Sequence, residues 1–163
     1  MVLTAVNDKV IKGLNVAIVG AMILLTLCIA LQILNRFIFK IPMTWTEEFA
    51  KYFFVWLGML GSAKAFREHS HIFVDLIEVA VKGRTSKYCA LLADMFCMIF
   101  FIALLWVSLP WAINNFDTGT ESIPEWGLGY FYLCMPISAA LMILFGIENI
   151  VLRLKALFGR GGE

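Results

Sequence analysis

The sequence predicts an all-α membrane protein, with four transmembrane helices and an interfacial amphipathic helix between the second and third. Three observations predict it. Hydrophobic residues fill 61% of the 163 positions and charged residues only 15%, against about 25% charged in a soluble domain. Four apolar runs reach the length of about 20 residues that a helical span requires. Between two of them, "HIFVDLIEVAVK" carries its charges at helical spacing. In lipid every backbone polar group must be satisfied within the protein, and with this much apolar sequence helices are favoured over a barrel.

The first span covers about 13–34 and lies in a charge-free stretch of 23 residues from Gly13 to Asn35. That is too long for the apolar region of a cleaved signal peptide, so Lys9 and Lys12 precede an uncleaved anchor. The second span covers about 45–66, with Lys51 and Lys64 near its ends, where long side chains can snorkel to the interface. The third covers about 88–113 and the fourth about 126–147. Between spans two and three, Asp75, Glu78 and Lys82 share one stripe of a helix over about 72–82. Such a helix suits the membrane surface or a packed partner equally. No internal repeat is visible, so residues 1–163 read as one membrane domain.

Lys and Arg counts set the direction. Ten of the thirteen flank one side: Lys9, Lys12, Lys64, Arg67, Lys82, Arg84, Lys87, Arg153, Lys155 and Arg160. Both termini are therefore expected in the cytoplasm, with the acidic connection "NNFDTGTESIPEW" outside. The net charge of +1 has no basic block of the kind that binds nucleic acid.

Ionisable residues within the spans are few. Asp94 lies two turns into span three, and Lys64 and Glu148 should sit at a similar depth on neighbouring helices. The three predict a structural ion-pair cluster, because each charge needs a partner in a low dielectric. An ion pathway is the competing reading. Small residues recur every four positions, as Gly13, Ala17 and Ala21 on span one, and as Gly58 with Ser62 and Gly61 with Ala65 on span two. Such faces let helix backbones approach closely in lipid. Pro110 and Pro136 should kink spans three and four. Trp45, Trp106, Trp111, Trp126, Tyr52, Tyr88 and Tyr130 lie mostly toward span ends, as interfacial belts do.

Cys28, Cys89, Cys97 and Cys134 form no CxxC pair and read as small buried residues. His69 and His71 lie two apart in a connection, which does not make a metal site. It also excludes a haem held between spans. Span one has no mid-membrane carboxylate, and the chain shows neither a broken helix pair nor an inverted repeat, devices of many complete secondary transporters. The sequence thus points to an accessory membrane subunit and not to an enzyme. A self-sufficient small homo-oligomeric channel or transporter is the alternative.

"PMTWTEEFAKYFFVWLGMLG" places two adjacent acids before an apolar run. Thr44 and Glu47 have capping-box spacing. Glu48 falls in the first turn, where the helix dipole favours a negative charge. Glu47 and Lys51 stand at i and i+4 in the favourable order. Local physics accounts for both acids, and an inter-subunit contact on the rim with Trp45 is the competing reading.

The stretch "WTEEFAKYFFVWLGMLGSAKAFREHSHIFVDLI" resembles the signature of the small membrane subunit, DctQ-type, of tripartite ATP-independent periplasmic (TRAP) transporters. The resemblance is carried by Trp45, Glu47, Glu48, Ala50, Lys51, Gly58, Gly61, Arg67, His71 and Asp75, and by the preceding "LNRFIFK" with Asn35 and Arg36. It covers the chain in length and four-span layout and is specific over about 34–77.

The resemblance implies a multi-pass subunit of the bacterial inner membrane. It implies pairing with a large multi-span subunit and a soluble periplasmic substrate-binding protein. It implies sodium-driven uptake of organic acids, either C4-dicarboxylates or a sialic acid such as N-acetylneuraminate. The sodium and substrate sites would lie in the large subunit, leaving this chain without a cofactor or metal. Spans one and two would contact the large subunit, and Arg36, Trp45, Glu47 and Glu48 would mark the rim for a subunit or the binding protein. The "GMLG" run leans toward the sialic-acid branch.

Overall fold

A computed structural model describes the backbone of residues 2–40, 44–80 and 84–158, and the side chains of 7–40, 44–68, 88–89 and 91–155. Helix α1 runs Val2–Leu34 and continues as a wider π-helical turn, Asn35–Phe39. Lys40 ends it in the left-handed region, with φ 55° and ψ 25°, and its N–H returns to the Asn35 carbonyl. Helix α2 runs Thr44–Ala80 and α3 runs Arg84–Asn114. A loop over 115–128 leads to the short α4, Gly129–Tyr132, and then to α5, Cys134–Phe158.

Among the described residues, three segments are long and apolar enough to cross a membrane: Asn7–Phe39, Leu91–Asn114 and Gly129–Lys155. Four were expected. Helix α2 has ample length, since its 37 residues extend for about 55 Å, but Lys51 and Lys64 interrupt its apolar part. The interfacial helix was expected to start afresh near residue 72. The backbone instead continues without a break from Thr44 to Ala80. The stripe of Asp75, Glu78 and Lys82 lies outside the described side chains.

The fourth span also differs from expectation. Residues Trp126 to Leu128 belong to the loop, and the helix begins at Gly129. Its interruption at Leu133 follows from Pro136, whose ring conflicts with the carbonyl four residues back, at Tyr132. Pro136 falls in the first turn of α5, where its missing N–H has no intrahelical acceptor to satisfy. Pro110 lies inside α3, which remains one helix.

Helix α5 is the centre of the packing, lying against both α3 and α2, while α1 lies chiefly against α2. On α5, Cys134, Ser138, Met142, Phe145 and Asn149 are buried, a spacing of three and four that forms one helical stripe. The core joins Leu14, Leu60, Ala63, Phe101, Met142 and Phe145, with Phe66 set edge-to-face on Phe101 at 4.9 Å. Along α1 only Asn7 and Leu14 are buried among the described side chains. Beyond Leu14 the helix shows large apolar side chains to its surroundings, Val16 at 74% exposure among them.

The small residues predicted to pack helices are not where the helices approach closely within the chain. A Cβ added at Gly13, Gly58 or Gly61 would meet nothing within 4 Å, so these glycines make no close approach within the chain. Ser62 donates to the Gly58 carbonyl of its own helix at 2.8 Å and is exposed. Ala17 and Ala21 border an open cleft against α2. The close contacts fall instead at fully buried Ala63 and at Gly146, where a Cβ would strike the Met98 sulfur.

Candidate functional site

Two polar centres lie at opposite ends of the bundle, one where α2 begins and one where α1 begins. At the start of α2, Glu48 turns away from its own helix end. Its Oε1 accepts the Glu121 N–H at 3.1 Å, and its Oε2 accepts the Ser122 N–H at 2.8 Å. The Tyr52 hydroxyl donates to Oε1 at 2.7 Å. A carboxylate taking three donors makes charge-assisted bonds, stronger than neutral ones.

Aromatic rings reinforce this attachment. The Tyr52 ring stacks on Phe131 at 3.9 Å and 12°. Phe49 meets Trp126 and Phe131 edge-on at 5.6 and 5.7 Å, and Trp45 at 6.4 Å. The loop is also tied to itself. Thr120 Oγ1 donates to the Ile123 carbonyl at 2.7 Å, and the Leu128 N–H reaches the Thr118 carbonyl at 2.8 Å. Gly129 is required by proximity, since a Cβ there would lie 2.6 Å from the Ala112 carbonyl oxygen.

The four residues predicted for a partner interface therefore separate. Glu48 is occupied within the chain. Glu47 pairs with Lys51 at 3.1 Å with both side chains more than half exposed, as the sequence predicted. Trp45 is 40% exposed. Arg36 is exposed at the end of α1, with its guanidinium carbon 6.0 Å from the Phe37 ring centroid.

At the other end, the predicted cluster of Lys64, Asp94 and Glu148 is corrected. Lys64 pairs with Glu68 at 3.6 Å, and Asp94 lies 2.9 Å from Arg153 Nε. That Asp94 oxygen is placed for ion pairing and not for a hydrogen bond. Glu148 Oε2 accepts from Arg67 Nε at 3.2 Å and from Asn7 Nδ2 at 2.6 Å. Arg67 Nη2 also donates to Asp8 Oδ1 at 2.8 Å. One guanidinium thus joins α1, α2 and α5, with its carbon 5.6 Å from the Phe145 ring centroid.

The expected partners fail on azimuth. Lys64 extends along its own helix to Glu68, while Arg67, three residues on, faces α5. The planar fork of arginine can bind two acids at once, which a lysine does less well. Burial works against the Arg67 charge, but the hydrogen bonds it donates to Asp8 and Glu148 outweigh it and raise its pKa above the ordinary value. Asn7, Asp8, Arg67 and Arg153 were not singled out from sequence as members of the cluster. The signal available was that Glu148 and Asp94 each required a buried cation.

No group of three or more metal-ligating side chains occurs among the described residues. The side chains of His69 and His71 lie outside those residues.

Residues 25–156 match the family described as "Tripartite ATP-independent periplasmic transporters, DctQ component". The chain is 28% identical over 129 residues to the sialic acid TRAP transporter permease protein SiaT of Haemophilus influenzae, which covers 76% of this chain and 20% of SiaT. The chain thus spans about a fifth of that relative's length. It is 27% identical over 123 residues to a putative TRAP transporter small permease protein of H. influenzae, covering 74% of this chain and 75% of the relative. It is 31% identical over 99 residues to the C4-dicarboxylate TRAP transporter small permease protein DctQ of Vibrio cholerae, covering 61% and 41% respectively.

Proposed function

The chain belongs to the DctQ component family of tripartite ATP-independent periplasmic transporters, and from that premise we propose that it is the scaffold subunit of a sodium-driven organic-acid importer. In this reading α2 also crosses the membrane, as the second of four spans, its Lys51 and Lys64 reaching toward the two interfaces. Both termini lie in the cytoplasm of a bacterial inner-membrane protein. The chain pairs with a large transport subunit, which holds the sodium and the substrate, and its loop rim assists docking of a periplasmic binding protein. It is a transport subunit and not an enzyme.

The observation that carries the pairing is α1. Its 33 residues bury no described side chain beyond Leu14 within the chain, although its apolar surface is continuous. Lipid alone could cover that surface. The small-residue positions Gly13, Gly58 and Gly61, where an added Cβ would meet nothing within 4 Å, additionally suit close approach by another helix. Two relatives supply context for the partner. The chain spans a fifth of SiaT, and a 29%-identical relative is named an isethionate TRAP transporter permease protein DctMQ. A sialic acid and a C4-dicarboxylate in relatives' names support the reading of the substrate as an organic acid.

Affinity purification of the tagged chain from its native membrane tests this reading. A large multi-span protein should co-purify in a fixed ratio, and reconstituted uptake should require both proteins and a sodium gradient. A chain that purifies only with copies of itself and conducts ions alone would replace this reading with a self-sufficient channel.

A further inference from the structure

An open apolar cleft of about 800 Å³ lies between α1, α2 and the loop leading into α4. Its α2 wall runs from Phe53 to Leu60, a rise of about 10 Å. One leaflet of the hydrocarbon core is about 15 Å deep, half of the whole. The cleft therefore begins at the level of Trp126 and Tyr130 and closes on Leu60, part of the buried core. On the α1 side, a Cβ at Gly20 would meet nothing within 4 Å. The space is open along its length, and its bare walls forgo dispersion contacts unless an apolar group fills it. Among the described residues Glu125 is the charged side chain lining the cleft.

We propose that this cleft binds one acyl chain of a glycerophospholipid with a primary-ammonium headgroup. The chain lies along Phe53 to Leu60, and the ammonium sits by Glu125 and the Trp126 ring. Depth selects a lipid tail, because the cleft ends within one leaflet, whereas a partner's transmembrane helix requires a groove through both. Hydrogen bonding selects the headgroup. The Glu125 carboxylate accepts charge-assisted N–H bonds from a primary ammonium, which a choline of equal charge cannot donate, while the aromatic face attracts either cation. Tryptophan and tyrosine also favour the headgroup level. The assignment rests on the membrane-spanning reading above and not on the identity of the transported acid.

The test uses vesicles of mixed phosphatidylethanolamine and phosphatidylcholine holding the full chain, with and without its co-purified partner. Each headgroup is supplied in turn with a diazirine near the tail end, and photolabelled peptides are mapped. Peptides spanning 17–24 and 53–60 should be labelled several-fold more by the ammonium lipid than by the choline lipid. Gly20→Leu should remove that labelling, and Glu125→Gln should remove the headgroup preference. Labelling of the exposed α3 face at Phe96 and Trp106 should be unchanged by either variant.

Cleft labelling no greater than that of α3, or undiminished by Gly20→Leu, would overturn the site. Equal labelling by both lipids would overturn the headgroup assignment. Cleft labelling that disappears when the partner is present would show a protein occupant and overturn the lipid. Loss of labelling on α3 as well would overturn the membrane reading on which the site rests.

Discussion

Glu48 and Glu148 are both carboxylates at helix junctions, yet they hold different things. Glu48 is partly buried and takes neutral donors, two backbone N–H groups and a tyrosine hydroxyl. Glu148 is 5% exposed and shares a guanidinium with Asp8 on a third helix. The first ties a loop to a helix end, and the second ties three helices together. The difference lies in what is left behind when a partner is removed. Loss of Glu48 exposes loop amides to water, whereas loss of Arg67 strands a charge in a low dielectric.

The largest effect is expected at Arg67. Arg67→Ala should destabilise the protein by about 3–5 kcal/mol, the usual result of breaking a buried pair, read as a fall in thermal unfolding temperature in detergent. Adding Glu148→Gln to that variant should recover part of the loss, because the stranded charge is gone. No recovery would mean that the contact over Phe145, and not the charge pair, is what Arg67 supplies.

Next comes Glu48. Glu48→Ala removes bonds to a charged acceptor, at about 1.5–3 kcal/mol each when buried and less at this partly exposed site. Hydrogen exchange should accelerate at the Glu121 and Ser122 amides while the α5 core stays protected. Acceleration that spreads through α5 would erase the contrast between the two ends. A change of similar size is expected from Gly129→Ala, at about 1–3 kcal/mol, because the new methyl would press on the Ala112 carbonyl. Its exchange signature should likewise stay within the loop and α4.

The smallest effect sharpens the comparison at the loop end. Glu47→Ala should change stability by less than about 1 kcal/mol, since its pair with Lys51 is exposed. If Glu47→Ala matches Glu48→Ala in exchange and complex yield, the two adjacent acids are equivalent and the loop bonds of Glu48 carry no special weight. If Glu47→Ala leaves stability intact but lowers uptake, the rim serves a partner.

Much of this was legible from the chain itself. Apolar run length located three spans, and i, i+4 spacing anticipated the pair of Glu47 with Lys51. The start of α5 was not, because the aromatic-rich "PEWGLGYF" is apolar enough to pass for helix. Only its position against Ala112 and Phe116 shows why Gly127 and Gly129 are needed. The target of Glu48 was equally hidden. A helix N-terminus explains an acid there without calling for a loop more than seventy positions away.

The sequence by itself determined the membrane class, the helical secondary structure and the family, since these depend on run length, composition and local order of residues. It also determined that Asp94 and Glu148 require cations, because a buried charge is intolerable alone. Tertiary structure alone decided which cations. Helix rotation sets the direction of each side chain, and a difference of three residues, from Lys64 to Arg67, separates a partner on the same helix from one on α5. Rotation is settled by the packing of all the helices together, around Leu60, Ala63, Phe101 and Phe145, and no local pattern contains it.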